Sequence, residues 1–526
     1  MQNKQLIIFA IFTILLNASC TTEKKIALNN ETAYRYENYI YNINEKSHTA
    51  IKPYSLCTDT IDAALNKSYD NLTLNKFFNN DLYFKISKDS AFGNTVNPYI
   101  DQIGGYDFAS KKALNHSAIG LTLFSNYSNS ITFNGDLSFH TQTMPNFVLQ
   151  KMDSTKLLPH VGKYLNRNGD NVQYLQGSAS LTYNTWSHFT FEIGYGKNFW
   201  GDGYRSLILS DNAASYPYFK MTINIWNLQY QYLVTALQDA GYWDKTQTLE
   251  RKYAVMHILS WNITKRINLN IFETVVWHGT DSIGFRGIDV NYLNPFIFFR
   301  PVEFSLGSPD NVLLGAGFRV KLFQKTHIYG QMLLDEFVLS EMENNPKWWG
   351  NKYALQIGFK SFDFLKFKGF YLQGEANYVR PFTYSHIDNY DNYGDMYDPL
   401  AHPLGANFWE TIGIIRYSKD RWSVMSKNIF AMYGSDIDSL SVGNNIYKPY
   451  TTRNPVYENN SVLLQGLKNK FIYSETKIMY LLNPKWNMYL ECGYINRFIS
   501  NSLGNENFSY IFFGIHTALY NDHWDN

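Results

Sequence analysis

The sequence has little charge for its length. Lys, Arg, Asp and Glu make up 17% of the 526 residues, against about 25% in an average soluble domain. The 46 basic and 45 acidic residues nearly cancel, and the net charge of +1 offers no basic surface for nucleic acid. Composition therefore argues against an ordinary soluble protein and against a nucleic-acid partner.

Long apolar runs and cysteines are also scarce. After residue 20 no stretch approaches the about 18 consecutive apolar residues of a membrane helix, which excludes a helical membrane protein. Cys20, Cys57 and Cys492 are too few and too far apart for a disulfide framework or a metal cluster. The motifs of phosphate loops, zinc helices and serine nucleophile elbows are absent from the sequence. We therefore expect a protein that is not an enzyme, with no catalytic residue, metal or cofactor.

The first 20 residues have the order of an export signal. Lys4 precedes an apolar run from Leu6 to Leu16, and small residues follow before Cys20. This order predicts a signal peptide over residues 1–19 and export of the mature chain. The small residues before Cys20 also match a lipoprotein cleavage site, so Cys20 is a candidate for lipidation. The alternative is cleavage near Ser19 with an unmodified cysteine.

Aromatic residues and alternating patterns are what the sequence has in abundance. Phe, Trp and Tyr make up 17% of the chain, and apolar and polar residues alternate in segments such as 187–195, 353–360 and 486–494. Successive side chains of a strand point to opposite faces, so this pattern predicts strands with one apolar and one polar face. The alternation breaks at Glu273, which stands on an apolar face. We expect a β-bulge there.

The connections between these strands alternate in length. Short turns such as Trp226-Asn227 are followed by long connections, for example 381–406 and a final one at 499–506. This alternation is typical of outer-membrane barrels, and a sheet in lipid must close because lipid cannot bond free backbone groups. We predict an all-β fold, a transmembrane antiparallel β-barrel of about 18 strands over residues 91–526. Residues 20–90 are predicted to be a periplasmic segment with a short helix near 58–67.

Two long connections are too apolar for loops in water. Residues 199–212 and 294–311 mix turn-forming glycines and prolines with apolar residues that would not stay exposed. We predict that both fold into the lumen, pack together and close it. Arg205 and Arg300 would then meet carboxylates such as Glu375, either as ion pairs that hold a plug or in direct contact with a ligand. The candidate plug or polysaccharide-binding residues are Trp200, Asp202, Tyr204, Arg205, Asp211, Asn212, Arg300, Glu303, Asp310 and Asn311.

The same two connections carry a family resemblance. The blocks FWGDGYRSLILSDN (199–212) and FRPVEFSLGSPDNVLLG (299–315) resemble those of Wzi-like capsule-assembly outer-membrane barrels, in the branch that includes RemB-like gliding-motility proteins. The resemblance covers most of the chain from about residue 80. It implies a barrel closed by inserted loops that acts as a lectin for capsular polysaccharide and has no catalytic residues.

The leading hypothesis is a non-catalytic barrel of the outer membrane that retains surface polysaccharide and assists capsule assembly. Aromatic faces can stack on sugar rings, and Asp, Asn and Arg can bond hydroxyls and uronates. The connection 384–397 is rich in such residues. Two alternatives stay open: a protein of surface adhesion or gliding motility that works with other outer-membrane or motility proteins, and a diffusion porin. The expected partners are outer-membrane lipid and surface polysaccharide.

Overall fold

The computed structural model describes residues 23–57, 78–86, 92–127, 130–185, 188–239, 250–281, 284–295, 310–336, 338–437 and 439–526. The predicted signal peptide and Cys20 lie outside these residues. So do Arg300, Glu303 and the helix predicted near 58–67.

Eighteen of the described strands form one closed antiparallel sheet. Each strand pairs with its neighbours in the chain, and the last pairs with the first, with Tyr510 opposite Asp107 and Ile515 opposite Gln102. The predicted all-β barrel and its strand number are therefore confirmed. The strands are β1 Phe92–Asp107, β2 Lys112–Tyr127, β3 Ile131–Thr143, β4 Asn171–Thr185, β5 Phe189–Gly196, β6 Tyr216–Ile225, β7 Leu228–Asp239, β8 Glu250–Asn262, β9 Ile267–His278, β10 Asn311–Phe323, β11 Thr326–Asp335, β12 Tyr353–Phe362, β13 Phe370–Val379, β14 Phe408–Lys419, β15 Trp422–Ser435, β16 Leu467–Asn483, β17 Met488–Asn501 and β18 Gly504–Thr517.

Helices and shorter strands complete the described chain. The α-helices are α1 Asn30–Ile40, α2 Asn146–Thr155 and α3 Leu339–Asn344, with 3₁₀ turns at Val290–Tyr292, Phe364–Lys366, Tyr450–Thr452 and Pro455–Tyr457. Among the described helices, none is long and apolar enough to cross a membrane. The short strand Tyr83–Ile86 pairs with β1, so the sheet begins slightly before the boundary predicted at residue 91. The other short strand pairs are Glu23–Lys25 with Ser55–Cys57, Ile51–Lys52 with Phe199–Trp200, Thr280–Asp281 with Gly284–Phe285, Gly394–Asp395 with Asp398–Pro399, and Asn166–Asn168 with β4.

The wall of the barrel has an apolar outer face and a polar inner face. On β5, Ile193 points outward and is 65% exposed, whereas its neighbour Glu192 points inward and is buried. The alternation continues around the sheet, so a belt of exposed apolar side chains encircles it. Such a belt fits the hydrocarbon layer of a membrane. The inward charged side chains include Lys220, Arg319, Lys321, Lys360, Glu375, Arg416, Lys427, Glu475 and Glu491.

The two ends of the barrel differ in the length of their connections. Turns such as Trp226-Asn227 define the short-turn end, whereas connections such as 380–407 define the long-loop end. The last connection is not the long loop predicted at 499–506. The side chain of Asn501 accepts the N–H groups of Leu503 and Gly504 at 2.8 and 3.1 Å. This local bonding closes a tight turn between β17 and β18.

No bulge forms at Glu273 in the described sheet, which contradicts the prediction. Glu273 stays in register with His257 of β8 and Leu314 of β10. It points outward, and its carboxylate lies 2.8 Å from Nε2 of His257. Residues 290–295 cross this part of the outer wall, where the hydroxyl of Tyr230 reaches the main-chain oxygen of Pro295. The pair of His257 and Glu273 can lie on the outer face because residues 290–295 cover it.

The apolar belt yields a test of membrane insertion. Replacing Ile193 with Arg should lower the free energy of unfolding in lipid vesicles by about 2–4 kcal/mol, because the guanidinium would face hydrocarbon. Urea titration of the reconstituted barrel measures this change. The matched control is Val456→Arg, since Val456 is equally exposed at 66% but lies in a long loop. Equal effects of the two substitutions would contradict the assigned belt.

Candidate functional site

Residues 23–57 fill the lumen at the short-turn end. Helix α1 begins after Asn29, whose side chain accepts the N–H groups of Glu31 and Thr32. Arg35 of α1 donates to the side chain of Asn487 in a short turn at 2.9 Å. Lys321 of β10 donates to main-chain oxygens of this segment. Part of the segment predicted to be periplasmic therefore lies inside the barrel.

Ion pairs join α1 to the barrel wall. Glu37 lies 3.2 Å from the ammonium groups of Lys360 on β12 and of Lys52. Burial by itself would raise the pKa of Glu37, but the attraction of the two lysines lowers it to about 2. Glu31 pairs in the same way with Arg416 of β14. Charges that the wall carries into the lumen are thus neutralised by the N-terminal segment.

The connection 197–215 folds into the lumen, as predicted for residues 199–212. The N–H of Trp200 donates to the oxygen of Leu209 at 2.8 Å, and the hydroxyl of Ser206 donates to the oxygen of Trp200 at 2.6 Å. Trp200 is fully buried, and its indole N–H donates to Gln231 of β7 at 2.8 Å. A Cβ at Gly203 would lie 2.6 Å from the main-chain oxygen of Arg205, so only glycine fits.

Arg205 stands at the centre of this plug. Its guanidinium donates to the main-chain oxygen of Asp525 at 2.6 Å and lies 3.2 Å from the Asp525 carboxylate and 3.6 Å from Glu410. Glu375 accepts the backbone N–H groups of Tyr204 and Arg205 rather than pairing with the guanidinium. The predicted ion-pair plug therefore exists, although Arg205 has other partners than expected.

The C-terminal tail supplies the partner that sequence analysis missed. After β18 the chain turns inward, and Asp525 pairs with Lys427 at 2.8 Å as well as with Arg205. Burial would raise the pKa of Asp525, but Arg205 and Lys427 hold it well below its usual range. Asn521 of the tail donates to Asp211 at 2.8 Å. The sequence offered one signal for this contact, because Asp525 stands beside the aromatic Trp524 after the last strand.

The remaining candidate residues of the first connection also make structural contacts. Asp202 is buried and accepts hydrogen bonds from the hydroxyls of Tyr41 and Thr49. The hydroxyl of Tyr204 donates to Asp525. Asn212 is buried and donates to the main-chain oxygen of Pro399 at 2.8 Å. Direct contact of these residues with a polysaccharide stays a prediction.

The second connection does not pack against the first where the structure describes it. Residues 290–295 lie on the outer face, with the ring of Tyr292 5.2 Å from that of Trp277. Asp310 pairs with Arg286 at 2.6 Å, and Asn311 donates to the main-chain oxygen of Asp391 at 2.8 Å. On this face Tyr292 packs in one apolar cluster with the outward side chains of Tyr232, Tyr253 and Trp277.

The connection 380–407 enters the lumen beside the first connection, whereas residues 296–309 of the second lie outside the described part of the chain. The oxygen of Leu400 accepts the N–H of Ser210 at 2.7 Å, and the hydroxyl of Tyr384 donates to the oxygen of Leu207 at 2.8 Å. Both tyrosines of the pair Tyr384 and Tyr393 are fully buried. The lumen is therefore closed at the long-loop end by two connections and at the short-turn end by the N-terminal segment and the tail.

An aromatic and charged cluster lies outside this closure, at the long-loop end. We call Trp348, Trp349, Tyr450, Arg453 and Glu458 the outer aromatic patch. The guanidinium of Arg453 lies 4.2 Å above the Trp349 ring, and the Trp349 and Tyr450 rings are 4.6 Å apart. Glu458 pairs with Arg453 and accepts the indole N–H of Trp349. The adjacent tryptophans in a long connection were a signal that sequence analysis missed.

A serine–histidine contact is present but inaccessible. The hydroxyl of Ser138 lies 2.7 Å from Nε2 of His140, on the inner face of β3. Both residues are about 1% exposed. A nucleophile must reach its substrate. We therefore interpret the contact between Ser138 and His140 as a structural hydrogen bond within the wall.

Comparison with known proteins shows the fold. Wzi of Escherichia coli, described as an outer-membrane protein involved in group 1 capsule assembly and a carbohydrate-binding β-barrel, is 13% identical. The alignment covers 94% of this chain and 99% of Wzi, with a TM-score of 0.53. The expected likeness to a Wzi-type outer-membrane barrel is confirmed at the level of the fold.

Two further solved barrels have lower TM-scores than Wzi. OccK5 of Pseudomonas aeruginosa is 8% identical over 80% of this chain and 97% of its own, with a TM-score of 0.43. OprD of the same organism is 7% identical over 83% of this chain and 97% of its own, with a TM-score of 0.41. No protein-family model and no curated protein matches the sequence.

The Arg205 cluster yields a test of the tail. Replacing Asp525 with Asn should lower the free energy of unfolding by about 3 kcal/mol, because two buried cations lose their shared carboxylate. Asp522→Asn is the control, since Asp522 lies on the same tail but is exposed. Loss of stability in the control and not in the Asp525 variant would contradict the assignment.

Glu37 makes the plug sensitive to acid. The folded pKa of Glu37 is about 2, below the about 4.3 of an unfolded Glu. The contribution of Glu37 to the free energy of unfolding is therefore present above about pH 5 and is lost as pH falls through about 2. That contribution is about 3 kcal/mol, measurable as the unfolding free energy between these pH values. The Glu37→Gln variant should lose this part of the pH dependence. An unchanged slope in the variant would assign the acid sensitivity to other groups.

Proposed function

We propose that this protein binds surface polysaccharide at its long-loop end and retains it on the outer membrane without catalysing a reaction. The observation that carries the proposal is the combination of a filled lumen with an aromatic and charged patch outside it. A filled lumen leaves the long-loop face as the surface where a large ligand can bind. The carbohydrate-binding activity described for Wzi of Escherichia coli, which has the same fold, supports this choice of ligand.

The chemistry of the outer aromatic patch suits sugar rings. Trp348, Tyr450 and Arg453 are half-buried, so each is held in place while part of its surface stays accessible. Ring faces pack on the apolar faces of sugars, and a guanidinium bonds hydroxyls or the carboxylates of uronic acids. The pairing of Arg453 with Glu458 orients the guanidinium before a ligand arrives. Acidic polysaccharides are therefore the proposed ligand class.

The alternative functions differ in what they require. A diffusion porin requires an open lumen, and the contacts of the plug argue for an ion conductance in planar bilayers far below that of an open barrel. A role in adhesion or gliding requires a protein partner that co-purifies from outer membranes. Capsule assembly requires that polysaccharide be shed from cells when the gene is deleted, and unchanged retention would overturn the proposal.

The patch itself can be tested by substitution. The double variant Trp348→Ala and Tyr450→Ala should bind acidic capsular polysaccharide from the native host at least about tenfold more weakly, a loss of about 1.4 kcal/mol. Binding to the purified barrel and cell-attached polysaccharide measure the effect. Trp226→Ala is the matched control, since Trp226 is 94% exposed at the short-turn end. Equal weakening by the control would contradict a specific patch.

A further inference from the structure

Three side chains of the connection between β13 and β14 converge at the long-loop end. His386, Asp388 and Asp391 each place one nitrogen or oxygen atom within 4.8 Å of the others. His386 and Asp391 are 6% and 4% exposed, and Asp388 is half-buried. One imidazole and two carboxylates at this spacing match the ligand types of a divalent cation.

Buried atoms at this cluster have unmet bonding capacity. Oδ1 of Asp391 and Nδ1 of His386 have no hydrogen-bond partner among the described residues. Oδ1 of Asn311 is also without one, and the amide nitrogen of Asn311 donates to the main-chain oxygen of Asp391. Burial of a carboxylate oxygen without a partner is unfavourable. A cation bound by Asp391 would give its buried carboxylate oxygen a partner.

The nearby basic side chains are held by other groups. Nζ of Lys252 donates to the main-chain and side-chain oxygens of Asn392 at 3.0 and 2.9 Å. The guanidinium of Arg286 pairs with Asp289 and Asp310 at 2.7 and 2.6 Å. Neither basic side chain donates a hydrogen bond to Oδ1 of Asp391, which has no partner among the described residues.

We propose that His386, Asp388 and Asp391 bind a divalent cation, Zn²⁺ in preference to Ca²⁺. Imidazole favours Zn²⁺, whereas Ca²⁺ takes six to eight oxygen ligands, more than this cluster offers. The cation would fix the conformation of residues 386–391 within the connection 380–407, which closes the lumen. It would also fix the His386 ring, whose centroid lies 5.9 Å from that of Tyr450 in the outer aromatic patch. The proposal does not rest on polysaccharide binding.

A second cluster of Asp and His side chains, in the lumen, serves as a control for the proposed cation site. Asp101, His116 and His140 are equally close together. Nε2 of His116, however, lies 2.9 Å from Nδ1 of His140, and Asp101 accepts bonds from Tyr99 and Thr517 at 2.8 and 2.7 Å. These groups satisfy one another without an ion.

The test uses the full-length barrel in detergent, stripped of metal by a chelator. Zn²⁺ alone is added in a calorimetric titration, and the heat-modified mobility of the barrel on gels verifies that each variant is folded. We expect binding by the wild type, at least tenfold weaker binding by Asp391→Asn and by His386→Asn, and wild-type binding by the lumen control His116→Asn. Absence of binding by the wild type, or loss of binding in the His116 variant alone, would overturn the proposal.

Thermal unfolding separates a ligand role from a structural one. Without metal, Asp391→Asn should unfold at the same temperature as the wild type or higher, because Oδ1 of Asp391 has no hydrogen-bond partner among the described residues for the substitution to remove. Added Zn²⁺ should raise the unfolding temperature of the wild type and leave that of the variant unchanged. A metal-free variant less stable than the wild type would show that Asp391 is structural and would overturn the proposal.

Discussion

Hydrocarbon offers no hydrogen-bond partner to a peptide group, so a sheet that crosses it must pair its last strand with its first. In this protein β18 closes on β1, and the outward side chains form an apolar belt. Closure with eighteen strands also has a consequence for the interior, because it leaves a lumen too wide for the inward side chains of the wall to fill. The segments that occupy that lumen must neutralise the charged side chains that the wall directs into it.

Three separate parts of the chain form ion pairs with those side chains or with one another. The N-terminal segment brings Glu31 and Glu37 to Arg416 and Lys360, and the tail brings Asp525 to Lys427. The connection 197–215 brings Arg205 to the same Asp525. Removing one member of such a buried cluster leaves charges unpaired, which is unfavourable. The plug is therefore coupled to the wall by electrostatics as well as by the apolar packing around Trp200.

The filled lumen is the reason that the proposed binding function is assigned to the long-loop end. The outer aromatic patch is built from two connections, 336–352 and 436–466, which the barrel brings together at one rim. The proposed cation cluster adds the connection 380–407 beside them. Rings that stack, a guanidinium held by a carboxylate and a site for a cation are chemistry suited to acidic polysaccharides.

Much of the fold could be predicted from sequence, because alternation and turn length are local properties. The alternating segments and short turns predicted the barrel and its strand number, and the apolar character of residues 199–212 predicted a plug. Contacts between distant segments could not be predicted in this way. Nothing local indicates that Asp525 meets Arg205, or that residues 290–295 cover the outer wall beside Glu273 while 380–407 enters the lumen.

The sequence by itself determined which faces are apolar and where the chain turns. Only the tertiary structure decided which segments fill the lumen and which side chains meet at the rim, because those choices depend on charges and volumes that become neighbours only after the sheet has closed.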